Sequence, residues 1–155
     1  MVKYFAYGHN MAKGELSRMT GGGVDLLFIG YINDTKIIFP HYSSRWGGGT
    51  ASFAPAYGHR LWGAVYEVPM DRMKKLDACE ESAKDGGGTY SRIKVDIVRQ
   101  DGGAARGIYT YRANAPEGSY YPPSARYMEA IRKGIRQCSI PKEYFTEISN
   151  MLAKL

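Results

Sequence analysis

Tyr4-Phe5-Ala6-Tyr7-Gly8-His9-Asn10-Met11 sets an aromatic run directly against a glycine and an asparagine, and the rest of the chain is organised around that junction. Val2 to Tyr7 is rich in aromatic and β-branched side chains, which suit a pleated, buried surface. Gly8 and Asn10 belong to the few residues that accept positive φ and tight turns. A strand is therefore expected to stop abruptly inside the protein. Stopping there leaves the N–H groups of Gly8, His9 and Asn10 without ladder partners, and a concave run of amides suits a carboxylate or a phosphate. An ordinary strand end would carry the same residues, so both readings stay open at this point.

At 155 residues the chain is long enough for one domain, residues 1–155, with a sizeable core. Hydrophobic residues at 44% and charged residues at 23% exclude wholesale disorder. The glycine clusters at Gly21–Gly23, Gly47–Gly49 and Gly86–Gly88 have no collagen-like period and read as loops. A net charge of +6 fits a nucleic-acid surface, an acidic small-molecule substrate or lysine kept for solubility. The basic residues are scattered and carry no recognition signature, so no nucleic-acid partner is expected. Cys79 and Cys138 fit reduced thiols in a cytoplasmic protein, each on a helix face expected to be buried and inert. No signal peptide and no membrane-spanning segment is expected.

Ala12 to Met19 reads as a short helix ending before a glycine triple. Leu26–Ile29 and Ile37–Phe39 are two apolar runs separated by the turn-prone Asn33-Asp34, which predicts paired strands. Ser43 to Pro55 reads as a loop closing into a short strand, Ala56 to Arg60 as a turn, and Leu61 to Val68 as a central strand ended by Pro69. Tyr90 to Gln100 alternates as a half-buried strand, and Asp101-Gly102 marks a hairpin that returns through Ala105 to Ala113. Pro116 to Pro123 is a tyrosine-bearing loop. Ser124 caps a helix whose inner face carries Tyr127, Ile131, Ile135 and Cys138, and Pro141 opens a last helix with Tyr144, Ile148, Met151 and Leu155 inward. Strands early and helices late predict an α+β fold: a single domain with a mixed, mostly antiparallel, barrel-like β-sheet and flanking helices.

Met70 to Ser82 is the most informative helix. At about 100° per residue, Met73 and Leu76 define its apolar face. Glu80 lies seven positions after Met73 and four after Leu76, and so projects from that face, whereas Asp71, Lys74, Lys75 and Glu81 fall opposite. A carboxylate is aimed at the interior, with Asp77 nearer the edge of the stripe. The competing reading is a glutamate near a frayed helix end that turns outward to water.

Several chemistries lack their residues. His9, His41 and His59 have no zincin spacing and the cysteines form no Cys-x-x-Cys, so no metal is expected. The glycine triples lack the Gly-Lys-Ser/Thr of a phosphate-binding loop and the spacing of a dinucleotide fingerprint, so no nucleotide cofactor is expected either.

What remains is an amide-lined turn, an inward Glu80 and several tyrosines. Here Tyr4 to Met11 resembles the Tyr-Phe-Ala-Tyr-Gly-Ser-Asn-Leu signature of the γ-glutamylcyclotransferase family, a group of AIG2-like fold. Trp46-Gly47-Gly48-Gly49-Thr50-Ala51, Leu61-Trp62-Gly63-Ala64-Val65-Tyr66, Leu76-Asp77-Ala78-Cys79-Glu80 and Pro122-Pro123-Ser124-Ala125-Arg126-Tyr127 resemble further motifs of that family, in the same order. The resemblance implies a cofactor-free cyclising enzyme, of lyase or acyltransferase type, that forms 5-oxoproline from a small-molecule γ-glutamyl substrate. It implies Glu80 as the catalytic carboxylate and Tyr4, Phe5, Ala6, Tyr7, Gly8 and His9 as the substrate loop, to which we add Asn10, Tyr90 and Tyr127 as binding candidates.

The chemistry suits such residues. In a γ-glutamyl amide the α-amine attacks the substrate's own γ-carbonyl, so the enzyme needs only a group that takes a proton from the ammonium and returns one to the departing amine. A free glutamate, at a pKa of about 4.3, is a weak base at neutral pH, and desolvation on an apolar face raises it. Two departures from the family pattern bear on specificity: His9 stands where the family carries Ser, and Glu81-Ser82 replaces Gly-Val. Arg45, Arg112 and Arg126 are candidates for the open end of the pocket, where the leaving amine would lie. A non-catalytic binding or regulatory domain with the same pocket, and an RNA-associated basic protein, are the competing classes. Monomer and homodimer are both open.

Overall fold

The strand that opens the chain, β1 (Val2–Ala6), buries Tyr4, Phe5 and Ala6 in succession, because it runs inside the sheet with elements on both faces. A computed structural model describes residues 1–80 and 88–155. After β1 come a 3-10 turn (His9–Met11), α1 (Lys13–Thr20), β2 (Asp25–Ser43), β3 (Gly48–Val68), α2 (Met70–Cys79), β4 (Tyr90–Arg99), β5 (Ala104–Ala113), α3 (Ala125–Gln137) and α4 (Glu143–Ala153). The strands close into a barrel in the order β1-β3-β2-β4-β5. Every pairing is antiparallel except β1 with β5, where Tyr4 meets Tyr109 in parallel and shuts the barrel. The result is the α+β, mixed but mostly antiparallel barrel that the order of the elements predicts.

Two expectations about β2 and β3 are corrected. Asn33-Asp34 does not turn the chain, and Ala56 to Arg60 is not a turn between two strands. Each lies inside one long strand, paired from Asp25 opposite Glu67 to Ser43 opposite Gly48. At Asp34 the register jumps from Asn33–Arg60 to Thr35–Pro55. Asp34 adopts φ 49° and Gly58 φ 82°, and the Gly58 N–H donates to Asp34 Oδ1 at 2.9 Å. Residues that tolerate positive φ serve a bulge as readily as a turn. Here both partner strands bend at the same place, so the ladder resumes beyond it.

The helices cover the barrel where their stripes direct them. Ser124 caps α3, its Oγ accepting the Tyr127 N–H at 3.2 Å, and Tyr127, Ile131 and Ile135 are buried. Pro69 leads from β3 straight into α2, which buries Met73 and Leu76 and ends at Cys79, with Glu80 as its C-cap residue. The expected helix end at Ser82, the Glu81-Ser82 departure and the Gly86-Gly87 part of the glycine connection lie outside the described residues. In α4, Tyr144 and Ile148 are buried and Met151 is half-buried. Leu155, expected inward, is 77% exposed because α4 stops at Ala153.

α3 meets the 3-10 turn at Gly134, where a Cβ would stand 2.6 Å from Met11 Cβ and 3.1 Å from the Ala12 nitrogen. Alanine in a helix interior is ordinarily favoured over glycine by about 1 kcal/mol. The overlap at Met11 reverses that sign, since overpacking a close contact costs about 1–3 kcal/mol. Gly134→Ala is therefore expected to lower the urea midpoint, and a variant as stable as the wild type would show that α3 does not press on the turn.

Candidate active site

Beyond the end of β1 at Ala6, the chain passes through a crowded place at Gly8. Gly8 has φ −109° and ψ −144°, so the positive φ anticipated for the turn is not used. A Cβ at Gly8 would lie 3.3 Å from Tyr127 Oη and 3.5 Å from Ala51 Cβ, and this approach from α3 and β3 is what calls for glycine. The Met11 N–H donates to the Gly8 carbonyl at 3.2 Å and closes the 3-10 turn.

Gly8, His9 and Asn10 form one wall of a cavity of about 180 Å³, well under the roughly 300–1,000 Å³ of drug-sized ligand sites and suited to an amino-acid-sized group. Tyr4 lines it from β1, Tyr7 from just beyond that strand, Tyr90 from β4, Tyr127 from α3, and Glu80 from the end of α2. Phe5 and Ala6, expected in the same loop, do not line it. They belong to the barrel core, with the Phe5 ring lodged where a Cβ on Gly63 would approach within 2.6 Å.

Each tyrosine hydroxyl has a fixed partner. Tyr4 Oη accepts from Asn10 Nδ2 at 2.6 Å, Tyr127 Oη accepts the Ala51 N–H at 2.9 Å, and Tyr7 Oη donates to the Tyr111 carbonyl at 2.5 Å. Tyr90 Oη donates to the Ala51 carbonyl at 3.0 Å and lies 2.7 Å from Thr50 Oγ1. Burial pushes the Tyr4, Tyr7 and Tyr127 phenols well above their ordinary range, and the negative charge of Glu80 adds to the shift in all three. The half-buried Glu80 thus stands among neutral phenols that can only donate or accept hydrogen bonds.

Asp77, at the edge of the same helical stripe, points elsewhere. Its carboxylate accepts from the Tyr111 hydroxyl and sits 3.4 Å from the Arg92 guanidinium, tying α2 to β4 and β5. Cys79 departs from its expected burial: it is exposed and lines the cavity, its Sγ 3.6 Å from the Met19 carbonyl. Partial shielding and the Glu80 charge raise its thiol pKa, which disfavours the nucleophilic thiolate. Cys138 is buried as anticipated, with Sγ 3.2 Å from the Met11 carbonyl.

His9 packs its ring 5.0 Å from Trp46 and 5.6 Å from Tyr127, with Nε2 4.0 Å from Glu15 Oε2. Burial drags its pKa down to about 4 against the pull of Glu15, with Arg45 and Arg18 adding to the fall. Burial pushes the Glu15 carboxyl the other way, but the Arg18 guanidinium at 3.0 Å outweighs it and holds that group below its ordinary range.

Thr50, Ala51 and Trp46 reach the cavity and were not named as site residues from sequence. Their signal was the Trp46–Ala51 motif. Its glycines let β3 pass against the chain before α3, where a Cβ on Gly48 would lie 2.6 Å from the Pro122 carbonyl oxygen. Among the described residues no group of three or more His, Cys, Asp or Glu is placed to hold a metal ion, and no helix is long and apolar enough to cross a membrane.

A barrel of this strand order has known counterparts. The sequence model of the AIG2-like family matches residues 60–148, more than half of the chain, and the protein belongs to that family. γ-Glutamylcyclotransferase of Mus musculus is 27% identical over 145 residues, covering 91% of this chain and 73% of its own length. The Homo sapiens enzyme of the same name is 28% identical over the same shares. A solved structure named γ-glutamyl cyclotransferase superposes with a TM-score of 0.84 at 25% identity, over 96% of this chain and 86% of that one.

The largely shielded His9 makes stability depend on pH. Its folded pKa of about 4 lies below the ordinary 6.5, so as pH falls from about 6.5 the unfolded chain takes up the proton first and stability is lost. Across that window the loss from this group is on the order of 3 kcal/mol. Urea unfolding between pH 7 and pH 4 is expected to show a shallower decline for His9→Phe than for the wild type, and parallel declines would remove His9 as the cause.

Proposed function

We propose that the protein is an enzyme of the γ-glutamylcyclotransferase class, converting a γ-glutamyl amine or γ-glutamyl amino acid to 5-oxoproline and the free amine. The observation that carries this reading is that Glu80 and the Gly8–Asn10 turn line the same amino-acid-sized cavity. The relatives named above support it.

The substrate's α-carboxylate lies on the turn, and its γ-carbonyl lies between Glu80 and the tyrosines. The α-amine nitrogen attacks the γ-carbonyl carbon, closing a five-membered ring, and the bond from that carbon to the leaving nitrogen breaks. Glu80 takes a proton from the α-ammonium and delivers one to the departing nitrogen. The second proton that the ring nitrogen sheds as it becomes an amide passes to the released amine, so the carboxylate is restored and the amine leaves as its ammonium. No covalent enzyme intermediate is required, because nucleophile and electrophile belong to one molecule. Holding them in the cyclising geometry supplies much of the rate, as intramolecular positioning does in general.

The hydrogen bonds distinguish the tyrosines. Tyr127 and Tyr4 accept from Ala51 and Asn10, which leaves each phenol proton to meet the carbonyl oxygen as negative charge develops there. Tyr90 donates to the Ala51 carbonyl and so acts by placing that segment. The free thiols of Cys79 and Cys138 fit a reducing, cytoplasmic setting.

Incubation with a panel of γ-glutamyl dipeptides, γ-glutamyl-lysine and glutathione is expected to release 5-oxoproline. Glu80→Gln should lower kcat by roughly 10² to 10⁴ with the far-UV spectrum unchanged. Stabilisation by these compounds without product would make the protein a binding domain, and an undiminished rate in Glu80→Gln would remove the proton-transfer role.

A further inference from the structure

We propose that Arg45 selects the leaving group, favouring γ-glutamyl compounds whose departing amine carries a carboxylate on the neighbouring carbon. This rests on the cyclisation reading above. Of the three arginines that the sequence offers for the open end of the pocket, the structure brings one to the cavity wall. Arg112 lies 5.5 Å from the Phe53 ring, away from the cavity. Arg126 donates to the Arg45 carbonyl and sits 4.7 Å from the Trp46 ring, so it braces the turn. Arg45 lines the cavity and is the one lysine or arginine among the described lining residues.

Its charge is felt by groups on three elements around it. Arg45 acts on His9, Glu15 and Cys79, which belong to the 3-10 turn, α1 and the end of α2. Its guanidinium lies 5.9 Å from the Trp46 ring, and of the three groups His9 and Cys79 line the cavity with it. Among the described residues no carboxylate lies within 4.0 Å of Arg45, and the nearby Glu15 is engaged by Arg18 at 3.0 Å. The backbone beneath it is fixed: the Gly47 N–H donates to the Ser43 carbonyl at 2.8 Å and the Trp46 N–H to Ser43 Oγ at 3.3 Å. The guanidinium is thus displayed on an anchored turn with its fork unoccupied by those partners.

Charge decides what such a group recognises. Glu80 makes the described lining acidic at the point of reaction, which repels any leaving group that brings a second carboxylate. A planar guanidinium at the mouth offsets that repulsion and grips the carboxylate through two parallel hydrogen bonds. A leaving amine without a carboxylate gains nothing from it.

The test compares γ-glutamyl-alanine with γ-glutamyl-alaninamide, which differ only in that carboxylate, in the wild type and in Arg45→Gln and Arg45→Lys. The ratio of kcat/KM for acid over amide is expected to fall by roughly tenfold in Arg45→Gln, mainly through KM, and by less in Arg45→Lys. The wild-type ratio should also shrink as salt is raised, since the mouth is open to solvent. Arg45 is exposed, so melting temperatures of the variants should match the wild type. Turnover of both compounds with a ratio unmoved by Arg45→Gln would overturn the role of Arg45 and leave cyclisation standing. Failure of the wild type to release 5-oxoproline from either compound would overturn the cyclisation reading, and the inference with it.

Discussion

The contact on which the site depends is the meeting of Gly8, Ala51 and Tyr127, three residues drawn from distant parts of the chain. The Tyr127 hydroxyl accepts the Ala51 N–H at 2.9 Å and presses against the α-carbon face of Gly8, where any side chain would stand within 3.3 Å of it. β1 ends two residues earlier, at Ala6, and the chain turns beneath this contact to form a cavity wall. Behind it, Gly134 lets α3 lie directly on Met11 and hold the turn from the other side. A barrel strand, a hairpin and a helix thus meet through small residues at close approach, and the proposed cyclisation would use that wall to hold its substrate in a reactive shape.

Around that wall the electrostatics are simple. Burial keeps the tyrosines protonated, so they serve as hydrogen-bond donors and acceptors and contribute no charge. His9 is held neutral at neutral pH by the same desolvation, despite a carboxylate 4.0 Å away. The strong local charges are carried by Glu80 at the centre of the proposed reaction and Arg45 at the rim. Asp77, two residues before the end of α2, has its charge absorbed by Tyr111 and Arg92 and braces the helix that leads to Glu80. Two carboxylates three positions apart are therefore separated in role by what surrounds them.

The long hairpin of β2 and β3 shows where local signals mislead. Asn33-Asp34 and Gly58 favour a backbone with positive φ, and that preference is satisfied. Whether such a residue reverses a strand or only bends it is settled by the partner. Here Asp34 and Gly58 face each other across the ladder and bind one another, which converts two apparent turns into one shared bulge. Cys79 is a comparable case, since its place on the apolar side of α2 indicated burial, but the helix ends there and the thiol opens onto the cavity.

The sequence by itself determined the α+β character, the aromatic first strand and the capped α3 with its buried stripe, whereas it left Glu80 between an inward and an outward aim. Those three are written in periodicities and caps that act over a few residues, and the family likeness was legible from ordered motifs. Tertiary structure alone decided that the Gly8 turn needs space rather than positive φ, that Phe5 and Ala6 serve the core, and that Arg45, not Arg112 or Arg126, reaches the cavity. These are properties of how segments 40 to 120 residues apart come together, and close approach, burial and charge neighbourhood do not exist until the barrel has closed.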